Sequence, residues 1–126
     1  MLSPPSLKSV EVVPWSINAE RGLVVSAGND MASIKKEVEA GISLLWQVIG
    51  DNIGGYVVTR VDDDELVIVC GEGRGLIEHT APFFLSLAKR HNLGVRTHVK
   101  RKGLIRIWKR YGLALDEYVL RGMPSG

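Results

Sequence analysis

The period of apolar positions changes several times along the chain. Val10 to Val13 is a short apolar run stopped by Pro14, which predicts a strand. Residues 15–30 give no clear period, because Gly22, Gly28 and Asn29 interrupt it and Leu23-Val24-Val25 suits a helix turn or a strand equally. Met31, Ile34 and Val38 stand at helical spacing, with Asp30 as N-cap and Gly41 as stop, predicting a helix over Met31 to Ala40. A three-strand meander follows. Ile42 to Ile49, Ile53 to Val61 and Glu65 to Cys70 are strands, with turns at Gly50-Asp51-Asn52 and Asp62-Asp63-Asp64. The third is apolar on both faces and belongs in the middle of a sheet. Gly54-Gly55 marks a bulge or a close backbone approach.

Gly71-Glu72-Gly73-Arg74-Gly75 then reads as a glycine-rich turn into a helix. Such a turn can hold an anion on the free amides of the helix start. Pro82 moves the expected helix start to Thr80, with Thr80 as N-cap and the proline in the first turn. Phe83/Leu87 and Phe84/Ala88 are i, i+4 pairs that dock this helix on the sheet. Val95, Thr97 and Val99 alternate with Arg96, His98 and Lys100, a strand with one basic face. Leu104, Ile107, Trp108 and Tyr111 have helical spacing, and Leu113 to Leu120 is a final strand. The order predicts an α/β (α+β) fold with a mixed, mostly antiparallel central sheet of about six strands and helices on both faces. One domain over residues 1–126 is expected, with a loose leader at 1–8 and a tail at 122–126.

Composition adds bounds. An apolar fraction of 45% and a charged fraction of 24% are ordinary for a globular domain. No apolar run is long enough to span a bilayer, and the first residues lack the apolar core of a signal peptide. The single cysteine, Cys70, excludes an internal disulfide and fits a reducing cytoplasm. The net charge of +2 conceals an uneven layout, since no acid occurs between Glu78 and Asp116 while basic residues recur there. That stretch implies an anionic partner or simply a solvated basic face. No aromatic-interleaved platform accompanies it, so nucleic acid is not the expected partner. Asp62-Asp63-Asp64-Glu65 reads as a hairpin tip, and His79, His91 and His98 lack metal-ligand spacing, so no metal is expected.

From Ile42 to Leu120 the order of elements resembles the GNAT acyltransferase family. Val69 closes the central strand, and Arg74-Gly75 stands where that family's acetyl-CoA loop begins. Leu104 to Leu113 resembles its helix ending in an aromatic, three residues, Gly and a large apolar residue. The resemblance implies a GNAT-like fold and transfer of an acetyl group from acetyl-CoA to an amine. It implies a cofactor cradle of Val69, Cys70, Arg74, Gly75, Ile77, His79 and Thr80. Glu72 or Glu78 would be the base that deprotonates the amine. The family's frequent tyrosine acid falls on Trp108, whose indole cannot serve, and Tyr111 one turn on is the candidate acid. Ile77 and His79 occupy the loop's two small-residue positions, where side chains crowd a pyrophosphate.

These departures also resemble the reduced GNAT-like proteins of tailed bacteriophages, some of them virion components. That implies a second reading: a non-catalytic interaction module with virion partners, in the host cytoplasm or the particle. In either reading, pairing of the last strand between two copies is the expected route to a homodimer.

Overall fold

A computed structural model describes residues 7–74, 76–98, 109–110, 114–116 and 119–122, with backbone alone for Arg74, Ile77, His98 and the two closing strands. The elements run β1 (Leu7–Val13), α1 (Ile17–Ala27), a 3-10 turn (Gly28–Asp30), α2 (Met31–Glu39), β2 (Ser43–Gly50), β3 (Ile53–Asp62), β4 (Glu65–Arg74), α3 (Leu76–Arg90), β5 (Gly94–His98), β6 (Ala114–Asp116) and β7 (Val119–Gly122). They form one sheet in the order β1-β2-β3-β4-β5-β7-β6. β4 is central, as its apolar faces require. Every neighbouring pair is antiparallel except β4 and β5, which α3 connects as a crossover.

Helices cover both faces. On one, Phe84, Ala81 and Ala88 of α3 pack with Trp46, Val57, Leu66, Ile68 and Val95. Trp46, Phe83 and Phe84 meet edge to face, with centroids 5.2–5.7 Å apart. The buried Trp46 Nε1 donates to Thr59 Oγ1 at 2.8 Å, so the indole carries no unmet polar cost. On the other face, Ala19, Leu23 and Ala27 of α1 and Ile34 of α2 pack on Leu45, Val58 and Cys70. Burying a Phe84 or Leu23 side chain contributes about 1.5–3 kcal/mol each.

One residue breaks the alternation of β4. Val58 pairs with Cys70 and Thr59 with Ile68, so Val69 is an extra residue, a β-bulge. Leu66 and Ile68 face α3 before it. After it, Cys70 faces α1 and α2, and Val69 packs on that side as well. The bulge exchanges the two faces for the rest of the strand.

Several boundaries differ from the sequence reading. Residues 7 and 8 belong to β1 rather than to a leader; residues 1–6 and 123–126 lie outside the described residues. The unread stretch contains α1. Ser16 caps it, accepting from the Ala19 amide at 3.1 Å, and its buried positions Ala19, Leu23 and Ala27 recur every four residues. Asp30 stands at the N-cap of α2 but makes no side-chain capping bond. The glycine-rich stretch is strand as far as Arg74, because β3 pairs with it throughout. The single strand expected over Leu113 to Leu120 is two, β6 and β7, paired with Leu115 opposite Leu120. An apolar count alone does not reveal such a break. Of the expected helix near Trp108, only the backbone of residues 109–110 is described, and it is helical.

Candidate functional site

The site forms where β4 passes into α3. β4 ends at Arg74 and α3 begins at Leu76, leaving one residue between them. The expected start at Thr80 is therefore corrected. The Thr80 hydroxyl is buried and donates to the Leu76 carbonyl, one turn earlier in the same helix. Thr80 thus lies within the helix, with its hydroxyl turned to the backbone. Pro82 sits inside α3 on an exposed position. Proline brings no amide to the helical ladder, a loss that the solvated side of a helix tolerates best. The early start puts the free amides of the helix immediately after Arg74, where an anion would meet them.

The parallel ladder between β4 and β5 runs from Glu65↔Gly94 to Ile68↔Thr97 and stops at the bulge. Beyond it, β4 continues to Arg74 against β3. Close to its end, Gly55 and Gly73 face each other with φ of +154° and +158°. A Cβ on Gly73 would overlap the Gly54 carbonyl oxygen and lie 2.7 Å from the Gly55 Cα; a Cβ on Gly55 would overlap the Glu72 carbonyl oxygen. Only glycine fits either position. Close backbone approach is thus the outcome at Gly54-Gly55.

The bulge decides where Glu72 points. Its carboxylate faces α1, where Oε2 accepts from the Ser26 backbone amide at 2.9 Å. Without Val69 as the extra residue, the same side chain would face α3. Tyr56 stands directly opposite Glu72 on β3 and packs against the α1–α2 core. Glu78 lies exposed in the first turn of α3, on a different element from Glu72. His79 follows it, half-buried. Val69 and Cys70 both pack on the α1–α2 side, so a cradle there would use their backbone rather than the Cys70 thiol, which is buried in core. The backbones of Arg74 and Ile77 belong to β4 and α3; Gly75 and Tyr111 lie outside the described residues. The structure thus brings Glu72, Arg74, Ile77, Glu78 and His79 to one end of the sheet. Sequence reasoning missed Ser26, Gly22 and Tyr56, whose signal was the four-residue spacing of α1 and the register of β3.

The opposite end of β4 carries charge of another kind. Arg96 of β5 pairs with Asp62 at 2.8 Å and Glu65 at 3.4 Å. Arg60 pairs with the same Asp62 at 2.9 Å and with Glu37 of α2 at 3.1 Å, and Glu37 accepts from the Ser43 hydroxyl at 2.9 Å. Arg60, through hydrogen bonding and charge, holds the Asp62 carboxyl below its usual range, with Arg96 adding to the effect. The reciprocal contacts raise Arg60. Of the basic face expected on this strand, Arg96 is committed to the acidic hairpin tip, while the His98 side chain and Lys100 lie outside the described residues. Asp63-Asp64 does form that tip, with Asp63 at φ 53°. Among the described residues, no group of three His, Cys, Asp or Glu could hold a metal ion. No helix among them is long and apolar enough to cross a membrane.

No family model and no curated relative matches the sequence. Solved structures do match. A Bacillus subtilis acetyltransferase in complex with CoA superposes with a TM-score of 0.69 at 12% identity, over 88% of this chain and 78% of that one. The PaiA N-acetyltransferase of Thermoplasma acidophilum, in complex with coenzyme A, gives 0.52 at 9% identity, over 90% and 96%. The fold is that of the GNAT acetyltransferases, as the order of elements in the sequence implied.

Proposed function

We propose that the protein is an N-acyltransferase that moves an acetyl group from acetyl-CoA to an amine. The observation that carries the reading is the delivery of Glu72 and the first turn of α3 to one end of the sheet by a bulged β4. The two CoA-bound acetyltransferases of this fold support the choice of donor. The phosphates of the donor would meet the amides that open α3, with Arg74 beside them. Glu72 would take a proton from the acceptor ammonium. The neutral amine would then attack the thioester carbonyl, the C–N bond forming as the C–S bond breaks and the CoA thiolate leaves. Glu78, exposed on the first turn of α3, is the second candidate base. Tyr111 would return a proton to the thiolate. Positioning and proton transfer account for the catalysis.

Calorimetric titration with acetyl-CoA tests the reading, with Arg74→Ala as the control. Saturable heat that the control weakens is expected; no heat at millimolar acetyl-CoA sinks the proposal. Ile77 and His79 at the positions of two small loop residues favour a second reading, a GNAT-fold interaction module without turnover, as in a phage particle. Release of free thiol with any amine in a broad panel would exclude it. In the first reading the partners are acetyl-CoA and an amine in the cytoplasm.

A further inference from the structure

Two residues of α1 stand over a single row of the β3–β4 ladder. Tyr56 and Glu72 face each other directly in that row, so their side chains share the face toward α1. Gly22 and Ser26 are one helical turn apart and share a face of α1, on the flank of its buried positions Ala19, Leu23 and Ala27. The Ser26 amide holds Glu72 Oε2 at 2.9 Å. Gly22 meets the Tyr56 ring, and a Cβ there would sit 2.9 Å from Cδ2 and 3.2 Å from Cε2. Carbon atoms in contact stand about 3.5 Å apart or more, so a methyl would need about half an ångström of new room. The ring packs against the core under α1 and α2, so the helix has to rise. A rise of that size would carry the Ser26 amide past the N–H···O range of about 2.7–3.2 Å.

Glycine weakens a helix interior, and its presence here marks a close approach. We propose that Gly22 is the positioning residue for Glu72. Its missing Cβ lets α1 sit low enough on the Tyr56 ring for the Ser26 amide to reach the carboxylate. Helix and strand are thereby locked in one spacing, and the carboxylate near the end of β4 in one place. The spacing is a property of the fold alone and is read without any donor. Its effect on catalysis rests on the acyl-transfer reading, in which Glu72 is the base.

The test is Gly22→Ala in the full chain, followed through the backbone amide of Ser26. A carboxylate acceptor deshields that proton and protects it from exchange, and Glu72→Ala gives the signal with the bond absent. Gly22→Ala should fold, since alanine is the better helix former. Its Ser26 resonance should move toward the Glu72→Ala position, and the amide should exchange about tenfold faster. An unmoved resonance with unchanged exchange overturns the proposal. Adding Tyr56→Val takes away the ring that the methyl would strike and keeps a strand former, so the Ser26 signal should return close to the wild type. A double variant as displaced as Gly22→Ala contradicts it. Should the double variant not fold, Gly22→Ala in the Glu72→Ala background carries the same test. There the methyl should move the Ser26 signal no further, and a shift equal to that in the wild type overturns the assignment. Where the wild type turns over acetyl-CoA, Gly22→Ala should lower kcat about tenfold and leave the KM for acetyl-CoA unchanged. An unchanged kcat removes the positioning role. A displaced Ser26 signal in a protein that neither binds nor turns over acetyl-CoA would keep the spacing and remove acyl transfer.

Discussion

The two halves of β4 are built for different tasks. Glu65–Ile68 is enclosed: β3 lies on one side, β5 on the other, and Leu66 and Ile68 are buried under α3. Its entrance is fastened by Arg60 and Arg96 to Asp62, Glu65 and Glu37. Val69–Arg74 begins with a bulge, contains two glycines and leads straight into a helix. Four side chains in the first half make core or ion pairs. In the second half, the backbone and a single carboxylate make the candidate site. A rigid, laterally paired base thus supports a stretch whose sheet alternation has been broken to aim one residue. In the proposed reaction Glu72 would need such an anchor, because small displacements are costly to catalysis.

The contrast can be broken most sharply at Gly73. Gly73→Ala should cost about 3 kcal/mol or more, from a forbidden φ plus overlap with β3, read as a lowered urea midpoint. A loss under about 1 kcal/mol would mean that the two strands can separate there without penalty. Glu72→Gln comes next. On the acyl-transfer reading it should lower kcat about 100-fold and leave the affinity for acetyl-CoA unchanged in calorimetry, since there the donor would meet the α3 start instead. Arg96→Met at the enclosed end should cost about 1–2 kcal/mol of stability, because Asp62 and Glu65 each lose a half-buried partner while Asp62 keeps Arg60. Its kcat should change far less than that of Glu72→Gln; an equal fall would show that the two ends do not act separately.

Acid should act on the enclosed end with the smallest effect. The folded-state carboxyl of Asp62 titrates below its ordinary value, mainly through Arg60. Its contribution to stability is therefore complete above about pH 4 and is lost as pH falls through the lower folded value. The urea midpoint of the wild type should drop on that acid side, and Asp62→Asn should flatten part of the drop. An unchanged acid profile in the variant would remove Asp62 from the account.

Much of the enclosed half was legible in the sequence. The apolar run Leu66 to Val69 between an acidic turn and a glycine stretch is enough to place a central strand. Alternation at Val95 and Thr97 places its neighbour. The ion pairs were not legible, because Asp62 and Arg96 are distant in the chain and meet only through the parallel crossover. Less of the open half was legible. A bulge adds one residue to a strand and leaves no mark on composition. Glycines that allow β3 and β4 to touch look the same as glycines of a turn, so Gly71 and Gly73 suggested a loop where there is a strand. Thr80 and Pro82 together suggested a helix start, since both are common there; Thr80 instead bonds back to Leu76 within the helix. Gly22 obscured α1 for a similar reason: it suits a neighbouring ring and contradicts the helix's own propensity.

The junction between β4 and α3 has a mechanical side. With Arg74 closing the strand and Leu76 opening the helix, a single residue of chain separates the two elements. Glu72, two residues before the end of that strand, is tethered at its far end to α1. An anion at the helix start would thus sit at one end of a short stretch of chain whose other end α1 holds in place.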